Sequence, residues 1–111
     1  MAKGLLLAFS DPISADREGD YNAWYNGIHA NEVTSLSGFG GMTRYRAVAQ
    51  MSPPSESHAY RYLAVYELHD IEAGMSALQA ATPNLNMSDA MDLNNALVVA
   101  FEPIFSSSEK T

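Results

Sequence analysis

Cysteine is absent from the 111 residues. Disulfides, thiolate nucleophiles, zinc–thiolate sites and iron–sulfur clusters are therefore excluded together, and the absence fits a reducing compartment. Positive charge is scarce as well: six Lys and Arg stand against 13 Asp and Glu, a formal net charge of −7. Such a surface repels phosphate backbones and anionic lipid heads, so neither nucleic acid nor a membrane is an expected partner. No apolar run approaches the roughly 18–20 residues that cross a bilayer. The opening stretch Leu5-Leu6-Leu7-Ala8-Phe9 is short, runs into Ser10-Asp11-Pro12 and lacks a small-x-small cleavage site. It reads as a buried strand, and a cytoplasmic location is expected.

Phosphate-cradling loops and nucleophile elbows are also missing. Gly38, Gly40 and Gly41 follow a helical stretch rather than a strand, so they form no dinucleotide fingerprint. His29 and Glu32 offer two metal ligands where a site needs three or more, and His58 and His69 stand in no haem-ligating context. No metal and no cofactor are expected.

What the chain does have is core: 47% of its residues are apolar and 17% charged, the balance of a packed domain rather than a disordered segment. Its length fits one domain, assigned to residues 1–105, with 106–111 as a flexible polar tail. Residues 4–10 predict a strand apolar on both faces. Ser14-Ala15-Asp16 predicts a capped start to a helix over about 16–36, stopped by Ser37-Gly38. Residues 39–50 predict a second strand with a bulge at Gly40-Gly41, and Pro53-Pro54 a loop. A third strand over 59–68 alternates Tyr60, Tyr62, Ala64 and Tyr66 with Arg61, Leu63, Val65 and Glu67. Asp70 caps a second helix ending near Thr82-Pro83, and residues 96–101 predict a last strand. The segment 84–94 reads as a loop, with a short helix around 88–93 and with Met87 and Met91 suited to a lid over a pocket.

The order strand–helix–strand–strand–helix–strand, joined by right-handed crossovers, predicts an α+β, ferredoxin-like βαββαβ fold. Its four-stranded antiparallel sheet would carry both helices on one face. Leu6 and Ala8 alternate with Leu5, Leu7 and Phe9, and Val98 and Ala100 with Leu97, Val99 and Phe101, so both sheet faces are greasy. A homodimer formed through the uncovered face follows as the expectation.

On a wheel of about 100° per residue, Tyr21, Tyr25 and Ile28 of the first helix cluster on one side, with Glu32 in the middle of that face and His29 on its Tyr25 side. A carboxylate aimed at a sheet is costly to bury alone; it should meet Arg44, Arg46 or Arg61, or face a cavity.

The run Asp20-Tyr21-Asn22-Ala23-Trp24-Tyr25-Asn26-Gly27-Ile28-His29-Ala30-Asn31-Glu32-Val33, with Ser37-Gly38-Phe39 and Arg44-Tyr45 after it, resembles the dimeric α/β-barrel superfamily, and within it the EthD-like branch. Ser37 and Asn31 stand where that pattern often has proline. The resemblance implies a pocket between helices and sheet, with His29 at the position of a pocket histidine acting as general base or acid. It implies that Glu32 orients or tunes the imidazole. Tyr25, with a strand tyrosine, would donate to an oxyanion or phenolate. Trp24, Tyr21, Tyr45 and Tyr62 are the expected substrate-binding aromatics. Each of these residues also has an ordinary reading as core or ion pair.

The superfamily holds cyclases, lactone isomerases, dehydratases, lyases, cofactor-free monooxygenases and haem enzymes, so fold alone does not choose the reaction. The function expected is cofactor-independent acid–base chemistry on a hydrophobic carbonyl-bearing or aromatic small molecule: cyclisation, dehydration, isomerisation or a related lyase step. The alternatives are a cofactor-free monooxygenase of phenolic or polycyclic substrates and a non-catalytic small-molecule-binding domain.

Overall fold

A computed structural model describes residues 2–54 and 60–107. The expected third-strand start at Ala59, His58 at that strand's end, and 108–111 of the tail lie outside the described residues.

The chain follows the expected order: β1 (Gly4–Ser10), a 3-10 turn (Ala15–Arg17), α1 (Glu18–Trp24), a π-helical turn (Tyr25–His29), α2 (Ala30–Thr34), β2 (Phe39–Arg46), β3 (Tyr62–Leu68), α3 (Ile71–Ala81), a second 3-10 turn (Thr82–Asn84) and β4 (Leu97–Phe101). α1, the π turn and α2 form one continuous first helix. The sheet order is β2-β3-β1-β4 with every neighbouring pair antiparallel. This is the ferredoxin-like α+β arrangement.

Strand parity divides the sheet. Leu6, Ala8 and Ser10 of β1 and Tyr62, Ala64, Tyr66 and Leu68 of β3 are buried beneath the helices. The other parity faces away from them. Leu5 pairs with Phe101, Leu7 with Val99 and Phe9 with Leu97, beside Leu63 and Val65 of β3. Leu5, Leu97 and Phe101 are each more than two-fifths exposed on this face.

Local chemistry explains the boundaries. Asp70 is extended, and its carboxylate accepts from the Ala73 amide at 3.2 Å, a side-chain N-cap for α3. Ser14 does not play that part for the first helix; its hydroxyl donates to Asp16 Oδ1 at 2.7 Å, and a 3-10 turn precedes α1 instead. Gly38 ends the first helix at φ +88°, where a Cβ would lie 2.5 Å from the Gly74 amide nitrogen. Glycine is thus required on two counts, backbone conformation and contact with α3. The predicted bulge appears as a register shift between Phe39 and Met42.

Two expectations are corrected. β2 ends at Arg46 rather than residue 50: the Ala47 amide still donates to the Arg61 carbonyl at 2.8 Å, after which only an isolated bridge remains at Gln50. Residues 88–93 form no helix, because their backbone is taken up by the chain leaving β1. The Ile13 amide donates to the Ala90 carbonyl at 2.6 Å, the Asp92 amide to the Asp11 carbonyl at 2.9 Å, and Pro12 bridges Met91. Among the described residues no helix is long and apolar enough to cross a membrane.

Candidate functional site

The π turn sets the geometry of the site. A π turn holds more residues than an α turn, so side chains beyond it are rotated relative to an unbroken α-helix. Tyr21, Tyr25, His29 and Val33, spaced by four, therefore share the sheet-facing line. Tyr21, Tyr25 and Val33 are buried, and the His29 side chain is 13% exposed. The same shift corrects the wheel: Ile28 turns outward, about half exposed, and Glu32 moves to the edge of the face.

Between this line and the sheet lies a cavity of about 250 Å³. Its floor is Leu6, Ala8 and Ser10 of β1 with Tyr66 of β3; Tyr25, His29 and Val33 form one wall; Leu85, Met87 and Met91 of the segment before β4 close it. The lining is apolar except for a few convergent polar groups, the common composition of a small-molecule site.

His29 is stacked on Trp24 with ring centroids 4.7 Å apart and an interplanar angle of 22°, and meets the Tyr25 ring edge-on at 5.0 Å. Its Nδ1 is buried without a hydrogen-bond partner among the described residues. Burial pushes the imidazole pKa below its ordinary value, against the opposing pull of the Glu32 carboxylate 3.9 Å away. The ring is therefore neutral at pH 7, a base rather than an acid in its resting state.

Glu32 does not meet an arginine. Its carboxylate accepts from the Asn86 amide nitrogen at 3.0 Å and from Asn86 Nδ2 at 2.7 Å, while Trp24 Nε1 donates to the Asn86 carbonyl at 2.6 Å. Two residues flanking His29 thus hold one residue of the segment that closes the cavity. Arg61 instead pairs with Glu18 at 2.9 Å. Arg44 extends among the rings of Tyr21, Tyr25 and Tyr62 and donates to Asn26 Oδ1 at 2.8 Å.

Of the residues singled out in the sequence, His29 and Tyr25 line the cavity, Trp24 backs His29, and Glu32 anchors the closing segment. Tyr21 is fully buried and shares a 2.6 Å hydrogen bond with Ser10, one shell behind the cavity. Two placements are corrected. Tyr62 lies towards the Glu18 end of the first helix, donating to Glu18 and accepting from Asn22. Tyr45 has the opposite parity from Arg44 and stands 54% exposed on the uncovered sheet face. The cavity tyrosine of β3 is Tyr66, whose hydroxyl donates to that of Tyr25 at 3.4 Å. Its parity was legible beside Tyr62; its position at mid-strand, under the π turn, was not. Among the described residues no three His, Asp or Glu side chains stand close enough to share a metal ion.

No protein-family model matches the chain, and no curated protein matches it in sequence. In structure it is similar to an EthD family protein of Bacillus halodurans C-125, with a TM-score of 0.59 at 14% identity, over 94% of this chain and 100% of that one. At that identity the likeness is one of fold: the chain has the EthD-like form of the ferredoxin-like α+β arrangement.

The depressed His29 pKa has a consequence for stability. The unfolded chain holds a proton on this ring more readily than the folded one, so stability is complete above about pH 6.5 and falls as the pH drops through and below that value. Thermal melts followed from about pH 7.5 down to 5.5 should show a decline of which His29→Gln abolishes one part. An unchanged pH dependence in His29→Gln would show that the ring titrates normally.

Proposed function

We propose that the chain is a cofactor-independent enzyme that moves protons on a small hydrophobic carbonyl-bearing or aromatic molecule held in the cavity. The observation that carries this reading is a neutral imidazole in the wall of an otherwise apolar pocket, its Nδ1 turned towards Glu32, beside a phenol that can donate a hydrogen bond. In the simplest step His29 takes the proton from a carbon next to a carbonyl. The C–H electron pair becomes a C=C bond, the carbonyl π pair moves to oxygen, and Tyr25 donates to that oxygen. Return of the proton to another atom completes an isomerisation; loss of a β-hydroxyl as water completes a dehydration.

The cavity volume supports substrates of modest size. A cavity of roughly 150 Å³ accepts benzene, so about 250 Å³ suits a substituted single ring or a small bicycle better than a polycycle. Incubation with small aryl ketones in deuterated water, followed by NMR, tests the reading: His29-dependent deuterium uptake next to the carbonyl is expected. Oxygen uptake with a phenolic substrate would favour the monooxygenase alternative. Binding without exchange or uptake would favour a non-catalytic pocket.

The closing segment fits the role of a lid. Asn86→Ala removes the side-chain bond to Glu32, and Trp24→Phe removes the bond to the Asn86 carbonyl. Each should speed hydrogen exchange over 85–91 by about fivefold, for the loss of roughly 1 kcal/mol of local hydrogen bonding. A ligand in the cavity should slow exchange in the unaltered protein; no change on binding would dismiss the lid.

A second copy of the chain is the proposed partner. The uncovered sheet face carries Leu5, Leu7, Phe9, Val65 and Val99, with Glu67 towards one end of β3, an apolar centre with a charged margin. A two-fold axis through that face would bury the same patch on both copies.

A further inference from the structure

Arg44 enters the core from mid-β2, opposite Ala64 of β3. The small Ala64 side chain leaves room for the guanidinium, whose carbon lies 4.3 Å from the centroid of the Tyr25 ring, 5.2 Å from that of Tyr62 and 5.3 Å from that of Tyr21. One nitrogen donates to Asn26, but Nε and the other terminal nitrogen are buried without partners. Among the described residues no carboxylate lies within ion-pair distance of it. Arg44 as a whole is half-buried, and a cation partly withdrawn from water without a countercharge is costly, the more unusual in a chain carrying a net charge of −7.

The geometry around it is polarised in one direction. Tyr66 donates to the Tyr25 oxygen, which leaves the Tyr25 hydrogen available to an acceptor in the cavity. Burial raises the Tyr25 pKa, while Tyr66 and the Arg44 cation both work to lower it. Negative charge arriving at the Tyr25 hydroxyl would thus meet a donor chain from Tyr66 and a cation behind the ring. A neutral carbonyl would gain the hydrogen bond but little from the cation; an anion would gain both.

We propose that the Tyr25 end of the cavity is an oxyanion subsite for a phenolate or enolate oxygen, with Arg44 supplying the countercharge from behind the Tyr25 ring. The inference rests on the proposed function in placing the ligand in this cavity with its oxygen at Tyr25, and adds Arg44. It names the class of ligand: a phenol, or a ketone whose enolate is the species held. Arg44 touches no reacting atom and acts through Tyr25, as a positioning residue.

Equilibrium binding of 4-nitrophenol to the full chain provides the test, because its phenol and phenolate absorb at different wavelengths. 4-Nitrotoluene serves as a probe of similar shape that cannot ionise. At a pH where the free probe is mostly protonated, the bound probe should be phenolate in the unaltered protein and remain so in His29→Ala, which separates this result from any failure of the proton-transfer reading. Arg44→Met should weaken phenolate binding on the order of 10- to 30-fold, the loss of the positive charge behind the Tyr25 ring, and leave 4-nitrotoluene affinity within about twofold. Arg44→Lys should restore most of the phenolate signal. Tyr25→Phe should lose it with Arg44 intact, and an undiminished signal there would overturn the subsite; where Arg44→Met fails to fold, Arg44→Gln takes its place. Failure of the unaltered protein to bind the phenolate would overturn the subsite. So would an undiminished phenolate signal in Arg44→Met, or an equal loss of both probes that Arg44→Lys does not restore.

Discussion

His29→Ala should reduce turnover by about 10²–10⁴-fold, the usual contribution of one positioned acid or base, while the folded state survives nearly unchanged. Both halves follow from its surroundings. The Nδ1 atom has no hydrogen-bond partner among the described residues, so removing the ring orphans no buried donor. Glu32 keeps its two bonds to Asn86. What is lost is the stacked contact with Trp24 and part of the cavity wall, about 1 kcal/mol, or a fall in Tm of roughly 4–8 °C for a domain of this size. A purely structural histidine predicts the reverse, a large drop in Tm with specific activity intact. Kinetics on purified variant, normalised to folded protein by circular dichroism, separates the two. Under the proposed reaction, the activity of the unaltered protein should rise as the pH increases through the His29 pKa, which burial holds below the ordinary imidazole range, and then level off, because only the neutral ring accepts a proton.

That histidine could be reached from the sequence, whereas its neighbours were harder to place, for a physical reason. Periodicity exposed the element order, the shared face of Tyr62, Ala64 and Tyr66 though not that it points inward, and the greasy second face of the sheet. It assumed one angle per residue along the first helix, however, and nothing in Tyr25-Asn26-Gly27-Ile28-His29 announces a π turn. The assumption moved Glu32 to the centre of a face it only borders and turned Ile28 inward. The segment before β4 was illegible for a different reason. Its path is held by backbone bonds to Asp11 and Ile13 and by the clasp on Asn86, contacts across 54 to 81 positions of chain, which no local pattern encodes. Arg44 was seen only as a partner for a carboxylate; that it would lie among three tyrosine rings depends on register, through the small residue opposite it.

Val99→Asp should convert a dimer into a folded monomer. Val99 sits opposite Leu7, flanked across β1 and β4 by the Leu5–Phe101 and Phe9–Leu97 pairs, midway along the edge strand β4 on the uncovered apolar face. In an isolated chain this position is half-buried and borders solvent, so a carboxylate there retains much of its hydration and the sheet keeps its hydrogen bonds. Between two copies the same carboxylate would be enclosed by apolar side chains and brought near its symmetry mate. The cost is then several kcal/mol for each of two charges, enough to raise the dissociation constant by about a thousandfold or more. Light scattering of the unaltered protein at micromolar concentration should give twice the 12.1 kDa chain mass, and the variant a single chain mass with an unchanged far-ultraviolet spectrum. Tyr45→Ala, on the same face over the opposite edge strand β2, should weaken association far less, since truncation there removes contact without burying charge. If the unaltered protein scatters as a monomer, the sheet face is not a self-association surface. If Val99→Asp remains dimeric, the two copies meet elsewhere.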